Sequence, residues 1–132
     1  MITFRYKEES LGLLKGKILR PVADVFVQTK QGQYIEFHPY IDSGADVTLL
    51  PLSFGKLIGL STQNHKIHPL GGISGRISMI RTSVQFRIGA KQFLAPVAWA
   101  MTEDVPPLLG REGVFDNFHI TFKQNEKIVV FD

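Results

Sequence analysis

Three times along this chain a short run of β-branched and aromatic residues stops at a polar or glycine-containing turn, and a second such run follows at once. The first pair is Pro21-Val22-Ala23-Asp24-Val25-Phe26-Val27 and Tyr34-Ile35-Glu36-Phe37, separated by Lys30-Gln31-Gly32-Gln33. The second is Ile77 to Ile88 and Gln92 to Trp99 around Gly89-Ala90-Lys91, with Pro96 marking an edge or a bulge. The third is His119-Ile120-Thr121-Phe122 and Lys127-Ile128-Val129-Val130-Phe131 around Lys123-Gln124-Asn125-Glu126. Segments this short and this close in sequence pair as antiparallel hairpins, so the pattern predicts an all-β fold. Helical signals are confined to Leu52–Ile58 and Arg111–Phe118, about two turns each. Between Glu8 and Lys17, Leu11, Leu13 and Leu14 are interrupted by Gly12 and Gly16, which reads as strand and loop.

With 132 residues, 44% hydrophobic and 20% charged, the chain is sized for one core, and residues 1–132 are expected to form a single domain. The absence of cysteine excludes disulfides, thiol catalysis and thiolate-held metal. The 15 Lys and Arg give a net charge of +3 but are scattered singly, and the expectation is no nucleic-acid partner. No apolar run approaches the roughly 20 residues that cross a bilayer, so no membrane partner is expected. The start Met1-Ile2-Thr3-Phe4-Arg5-Tyr6-Lys7 lacks the pattern of a secretory signal, and a cytoplasmic location is expected. His65 and His68 lack a third ligand nearby, and neither Ser43 nor Ser74 has a base at an indicative spacing. No metal and no cofactor are expected. The ten Phe lie in strand patterns and read as core.

The segment Tyr40-Ile41-Asp42-Ser43-Gly44-Ala45-Asp46-Val47-Thr48-Leu49-Leu50-Pro51 carries the chemistry. An apolar strand runs into Asp42, Ser43 and Gly44 permit a sharp turn, and the apolar run then resumes. A turn flanked by apolar residues on both sides lies near the centre of a domain, where a carboxylate needs a partner or a task.

At these residues the chain resembles the retroviral-type, or retropepsin-like, aspartic proteases. Ile41-Asp42-Ser43-Gly44-Ala45-Asp46 resembles their catalytic loop, Leu70-Gly71-Gly72-Ile73-Ser74-Gly75 their glycine-rich flap tip, and Pro107-Leu108-Leu109-Gly110-Arg111 the signature before their short C-terminal helix. The resemblance implies a closed β-barrel or sandwich with one short C-terminal helix and a flap hairpin over the cleft. It implies an aspartic-type endopeptidase, with Asp42 as the catalytic carboxylate and Ser43, Gly44 and Ala45 in the active-site loop. Gly71, Gly72, Ile73, Ser74 and Gly75 would form the flap, and Val47, Leu49 and Leu108, with Ile73, would line substrate pockets. Asp46 and Arg111 would form a supporting ion pair, worth up to about 3 to 5 kcal/mol if fully buried.

Amide hydrolysis by carboxylates needs two of them sharing a proton, and only Asp42 has the right setting among the aspartates. A homodimer acting on a peptide or protein substrate is the expected solution, with Asp42 of each copy at a twofold axis. The alternative is a catalytically inactive protease-like domain that binds peptide or dimerises. Residues 1 to 20 and Asn125 to Asp132 extend the viral pattern in the terminal regions from which viral enzymes build their dimer sheet. Such tails resemble cellular members, including bacterial ones.

Overall fold

A computed structural model describes every residue except 14–15, 64–65 and 73–74, with the side chains of 70–76 also outside the description. The strands run β1 (Ile2–Arg5), β2 (Lys7–Ser10), β3 (Lys17–Arg20), β4 (Val25–Gln28), β5 (Tyr34–Phe37), β6 (Tyr40–Ile41) and β7 (Thr48–Leu50). A six-residue helix, α1 (Leu52–Leu57), leads to β8 (Ile67–Gly72), β9 (Gly75–Ile88), β10 (Lys91–Ala100), β11 (Leu108–Leu109), β12 (Ile120–Lys123) and β13 (Ile128–Phe131). All three expected hairpins are present, as β4–β5, β9–β10 and β12–β13.

The main sheet has the order β5-β4-β9-β10-β7-β11-β6, with β8 paired to β9. The long strand β9 is its spine. Its far end pairs β4 at Phe86 and Arg87, its middle pairs β10 from Met79 to Ile88, and its near end pairs β8. Where β10 pairs only with β9, exposed Lys91, Gln92 and Leu94 alternate with covered Phe93 and Ala95, and from Val97 onward, where parallel β7 joins, every residue is buried. Pro96 lies opposite Ser83 of β9, one residue before β7 joins, so its other side is still a sheet edge. A second sheet has the order β1-β13-β12, and a third consists of the β2–β3 hairpin alone.

One apolar core unites the first two sheets. Phe4, Val129 and Phe131 of the terminal sheet belong to the same buried cluster as Val25, Val27, Phe86, Val97 and Trp99 of the main one. Phenylalanines bridge the two, with Phe4 and Phe118 each on Phe131, Phe118 against Phe93 and Phe93 against Phe86, at centroid separations of 5.1 to 6.0 Å. Edge-to-face and offset pairs of this kind add stability beyond their area. Trp99 is fully buried, and its indole N–H donates to the Leu52 carbonyl at 3.1 Å, fixing α1 to β10.

The segment after Arg111 is tighter than the expected two-turn helix. It is a single 3-10 turn at Phe115–Asn117. Gly113 has φ +72°, its N–H donates to Asp116 Oδ2 and its carbonyl accepts from Asn117 Nδ2. Side chains thereby take the backbone groups that a longer helix would have used. The stretch from Glu8 to Lys17, read from the sequence as strand and loop, carries the end of β2 and the start of β3, which pair from Lys7↔Arg20 to Ser10↔Lys17. Among the described residues no helix is long and apolar enough to cross a membrane.

Candidate active site

Asp42 follows β6 directly, and β6 pairs in parallel with β11 through Tyr40↔Leu108 and Ile41↔Leu109. The Asp42 N–H extends this ladder by donating to the Leu109 carbonyl at 3.1 Å, so the carboxylate leaves a fixed backbone. The turn closes behind it: Ala45 N–H donates to the Asp42 carbonyl at 3.2 Å, and Gly44 N–H donates to Asp42 Oδ1 at 2.9 Å. The side chain is half-buried, while Ser43 and Gly44 are exposed. A carboxylate is therefore oriented by its own loop and open on its outer side. No other carboxylate bonds to it among the described residues.

The far side of the loop is held by the segment around Gly110. Thr48 is the one fully buried polar residue of the described chain, and its Oγ1 accepts from Gly110 N–H at 3.0 Å. A Cβ on Gly110 would lie 2.3 Å from the Val47 carbonyl carbon and 2.8 Å from the Thr48 nitrogen. Only glycine lets these two backbones touch. Beyond it, Arg111 N–H donates to the Ala45 carbonyl at 3.0 Å and Glu112 N–H to that of Asp46 at 2.9 Å.

Asp46 and Arg111 meet as an ion pair, but not as a buried one. One guanidinium nitrogen reaches Asp46 Oδ1 at 2.5 Å and the other the Ser43 carbonyl at 3.0 Å. The side chains are 80% and 50% exposed. The pair clamps the loop from outside, where water screens it, and the cost of a buried pair does not apply.

Two hollows flank the loop and share Leu108 as their dividing wall. The first, about 460 Å³, holds Asp42 with Ile41, Tyr40, Pro21, Pro106 and Arg20. The second, about 240 Å³, is floored by Val47, Leu49, Ala98 and Leu108, with Asp46 and Arg81 at its edge. Val47, Leu49 and Leu108 thus come together, whereas Arg81 on β9 carried no motif that singled it out. Thr48 was likewise missed, and its signal was a lone hydroxyl residue within an apolar strand. Ile77 and Met79, at the base of the β8–β9 hairpin, pack against the cluster of Leu49, Ala98 and Val105. Past Ser78 this hairpin projects beyond the end of β10, with Gly71↔Arg76 and Gly72↔Gly75 as its last pairs. Ile73 and Ser74, expected at its tip, and His65 lie outside the described residues.

The N-terminal hairpin borders the first hollow through Arg20. Tyr40 donates its hydroxyl to the Glu9 carboxylate at 2.5 to 2.6 Å, and Arg20 pairs with Glu9 at 3.3 Å while lying over the Tyr40 ring. The Glu9 hydrogen bond, then burial, push the Tyr40 phenol above its usual range.

Compared with solved structures, the chain is similar to a retropepsin-like aspartic protease from Rickettsia conorii, with TM-score 0.70, 14% identity and 98% of both chains covered. The chain has the retropepsin fold. It is also similar to EIAV protease in complex with the inhibitor HBY-793, with TM-score 0.57, 18% identity, and 78% of this chain and 88% of that one covered. Neither the protein-family models nor the curated proteins match it by sequence. The retropepsin fold is thus shared at sequence identities of 14% and 18%. The segments that build the loop, the Gly110 contact and the β8–β9 hairpin of this fold are the three whose motifs are legible in the chain.

Proposed function

We propose that the chain is one half of a homodimeric aspartic endopeptidase, in which Asp42 from each of two copies forms the acid–base pair. The observation that carries this reading is the setting of Asp42: one carboxylate aimed outward from a braced loop, open on one side, with the nearby Asp46 already engaged by Arg111. A lone carboxylate cannot serve as both base and acid in one step, and a second copy supplies the missing group by symmetry.

In the pair, repulsion between the two charges keeps one proton shared between them. The ionised carboxylate takes a proton from water as the water oxygen bonds to the peptide carbonyl carbon. The protonated one then gives its proton to the amide nitrogen as the C–N bond breaks. No metal is called for in this scheme. The β8–β9 hairpin would cover the bound peptide, and the apolar floors of the two hollows favour hydrophobic side chains beside the cleaved bond.

The test compares the protein with Asp42→Asn on an unfolded protein substrate between about pH 4 and 7. Cleavage by the first, lost by at least about a hundredfold in the second, is the expected result. Equal turnover by both would remove Asp42 from the chemistry. No turnover by either would favour a domain that binds peptide without cutting it.

A further inference from the structure

Arg20 and Arg81 each line one of the two hollows and Arg111 clamps the loop that the hollows flank, and the three differ in what already occupies them. Arg111 is taken by Asp46 and the Ser43 carbonyl, and Arg20 by Glu9 and the Tyr40 ring. Arg81 has a single polar contact among the described residues, one nitrogen at 3.4 Å from Glu112 Oε2. That pair is about half exposed on both sides, so it holds the guanidinium weakly. A guanidinium offers five N–H donors, and most of those on Arg81 have no acceptor in the described chain. It stands at the edge of the hollow floored by Val47, Leu49, Ala98 and Leu108, one wall away from Asp42.

An apolar floor under an underused guanidinium fits a side chain with a hydrocarbon stem and an acidic end. From this geometry we infer that Arg81 is a specificity-determining residue, selecting peptides that place glutamate in the hollow beside Leu108. The methylenes of the glutamate lie on Val47 and Leu49, and its carboxylate takes the free face of the Arg81 fork. Asp46 also borders this hollow, but its charge is met by Arg111 at 2.5 Å. Glu112 is the competitor, and its long contact to Arg81 lets a better-placed carboxylate replace it. The inference rests on the proposed function for the location of the cleft, and it names the class of substrate that the cleft prefers.

The experiment separates binding from cleavage. In the Asp42→Asn protein, affinities are measured by fluorescence anisotropy for labelled dodecapeptides with an apolar centre and one Glu, Gln or Lys at each flanking position in turn. At a position that reaches this hollow in either copy, the glutamate peptide is expected to bind about five-fold more tightly than the glutamine one, and more tightly still than the lysine one. Arg81→Glu should reverse that order, and Glu112→Gln should widen the original preference. Circular dichroism of each variant establishes that the fold is kept. Equal affinity for the three peptides at every position, or a preference untouched by Arg81→Glu, overturns the inference. A preference that follows Arg81 in a protein that cuts none of these peptides would uphold it while removing the endopeptidase reading.

Discussion

At the scale of single residues, two groups behind Asp42 look alike in the sequence and differ in energy. Gly110 and Arg111 are adjacent in one motif, yet one seals a backbone contact and the other clamps a loop from solvent. Gly110→Ala forces a methyl group into the Val47–Thr48 backbone, where the separation would be 2.3 Å and no flexible side chain can yield. A forced fit of this kind costs about 1 to 3 kcal/mol or more, and backbone neighbours put it at the upper end. Arg111→Ala removes an exposed ion pair and one hydrogen bond, about 1 kcal/mol in all. Denaturant melts of both variants should therefore rank Gly110→Ala as clearly the more damaging, and the reverse order would contradict the close contact described here. The motif was visible in the sequence, but its division of labour was not: a letter pattern does not say that Asp46 is 80% exposed.

At the scale of elements, the hairpins legible in the sequence are those whose alternation reports a buried face, as in β4, where Val25 and Val27 are buried and Phe26 and Gln28 are half-buried. The β2–β3 hairpin has no such face. Its strands contribute no residue to the core and are held by ionic and hydroxyl contacts, Lys7 and His38 to Asp24, Lys17 to Glu8, and Tyr40 and Arg20 to Glu9. Periodicity does not register contacts of that kind, which is why Gly12 and Gly16 read as interruptions. The same contacts make the hairpin sensitive to pH. Burial alone would raise the Asp24 carboxyl, but hydrogen bonds from Lys7 and His38, with their charges, bring it below its usual range. A lowered folded value means that the stabilisation is present above the ordinary carboxylate range and is lost as pH falls through the folded value. For Tyr40, whose phenol is raised, the stabilisation is present below about pH 10 and is lost as pH rises through the folded value. Amide-exchange protection factors in β2 and β3 should hold steady from about pH 5 to 8 and fall below about pH 4, while those of β9 and β10 do not change. Asp24→Asn should abolish the acid step, and an unaltered step would place its origin elsewhere.

At the scale of the whole molecule, the terminal strands decide what a partner is needed for. β13 lies between β1 and β12, and Val129 and Phe131 are buried against Phe4 within one chain. The tail beyond Asn125 thus folds back as a hairpin strand, and β13 is paired on both sides within one chain. A chain whose core is closed in this way should fold as a monomer, whereas the proposed chemistry requires two. Folding and activity should then separate on dilution. Cleavage per chain should fall steeply once the concentration drops below the dissociation constant of the pair, while the circular dichroism stays constant and the melting temperature loses only the mass-action gain of association before levelling at the monomer's own value. Sedimentation across the same dilution series would locate the dissociation. If the circular dichroism of the fold were lost in step with activity, the subunit contact would be part of the fold, and the terminal sheet would not hold within one chain. If activity per chain stayed constant while sedimentation showed only monomer, the second carboxylate would have to come from within the chain, and a twofold site at Asp42 would be untenable.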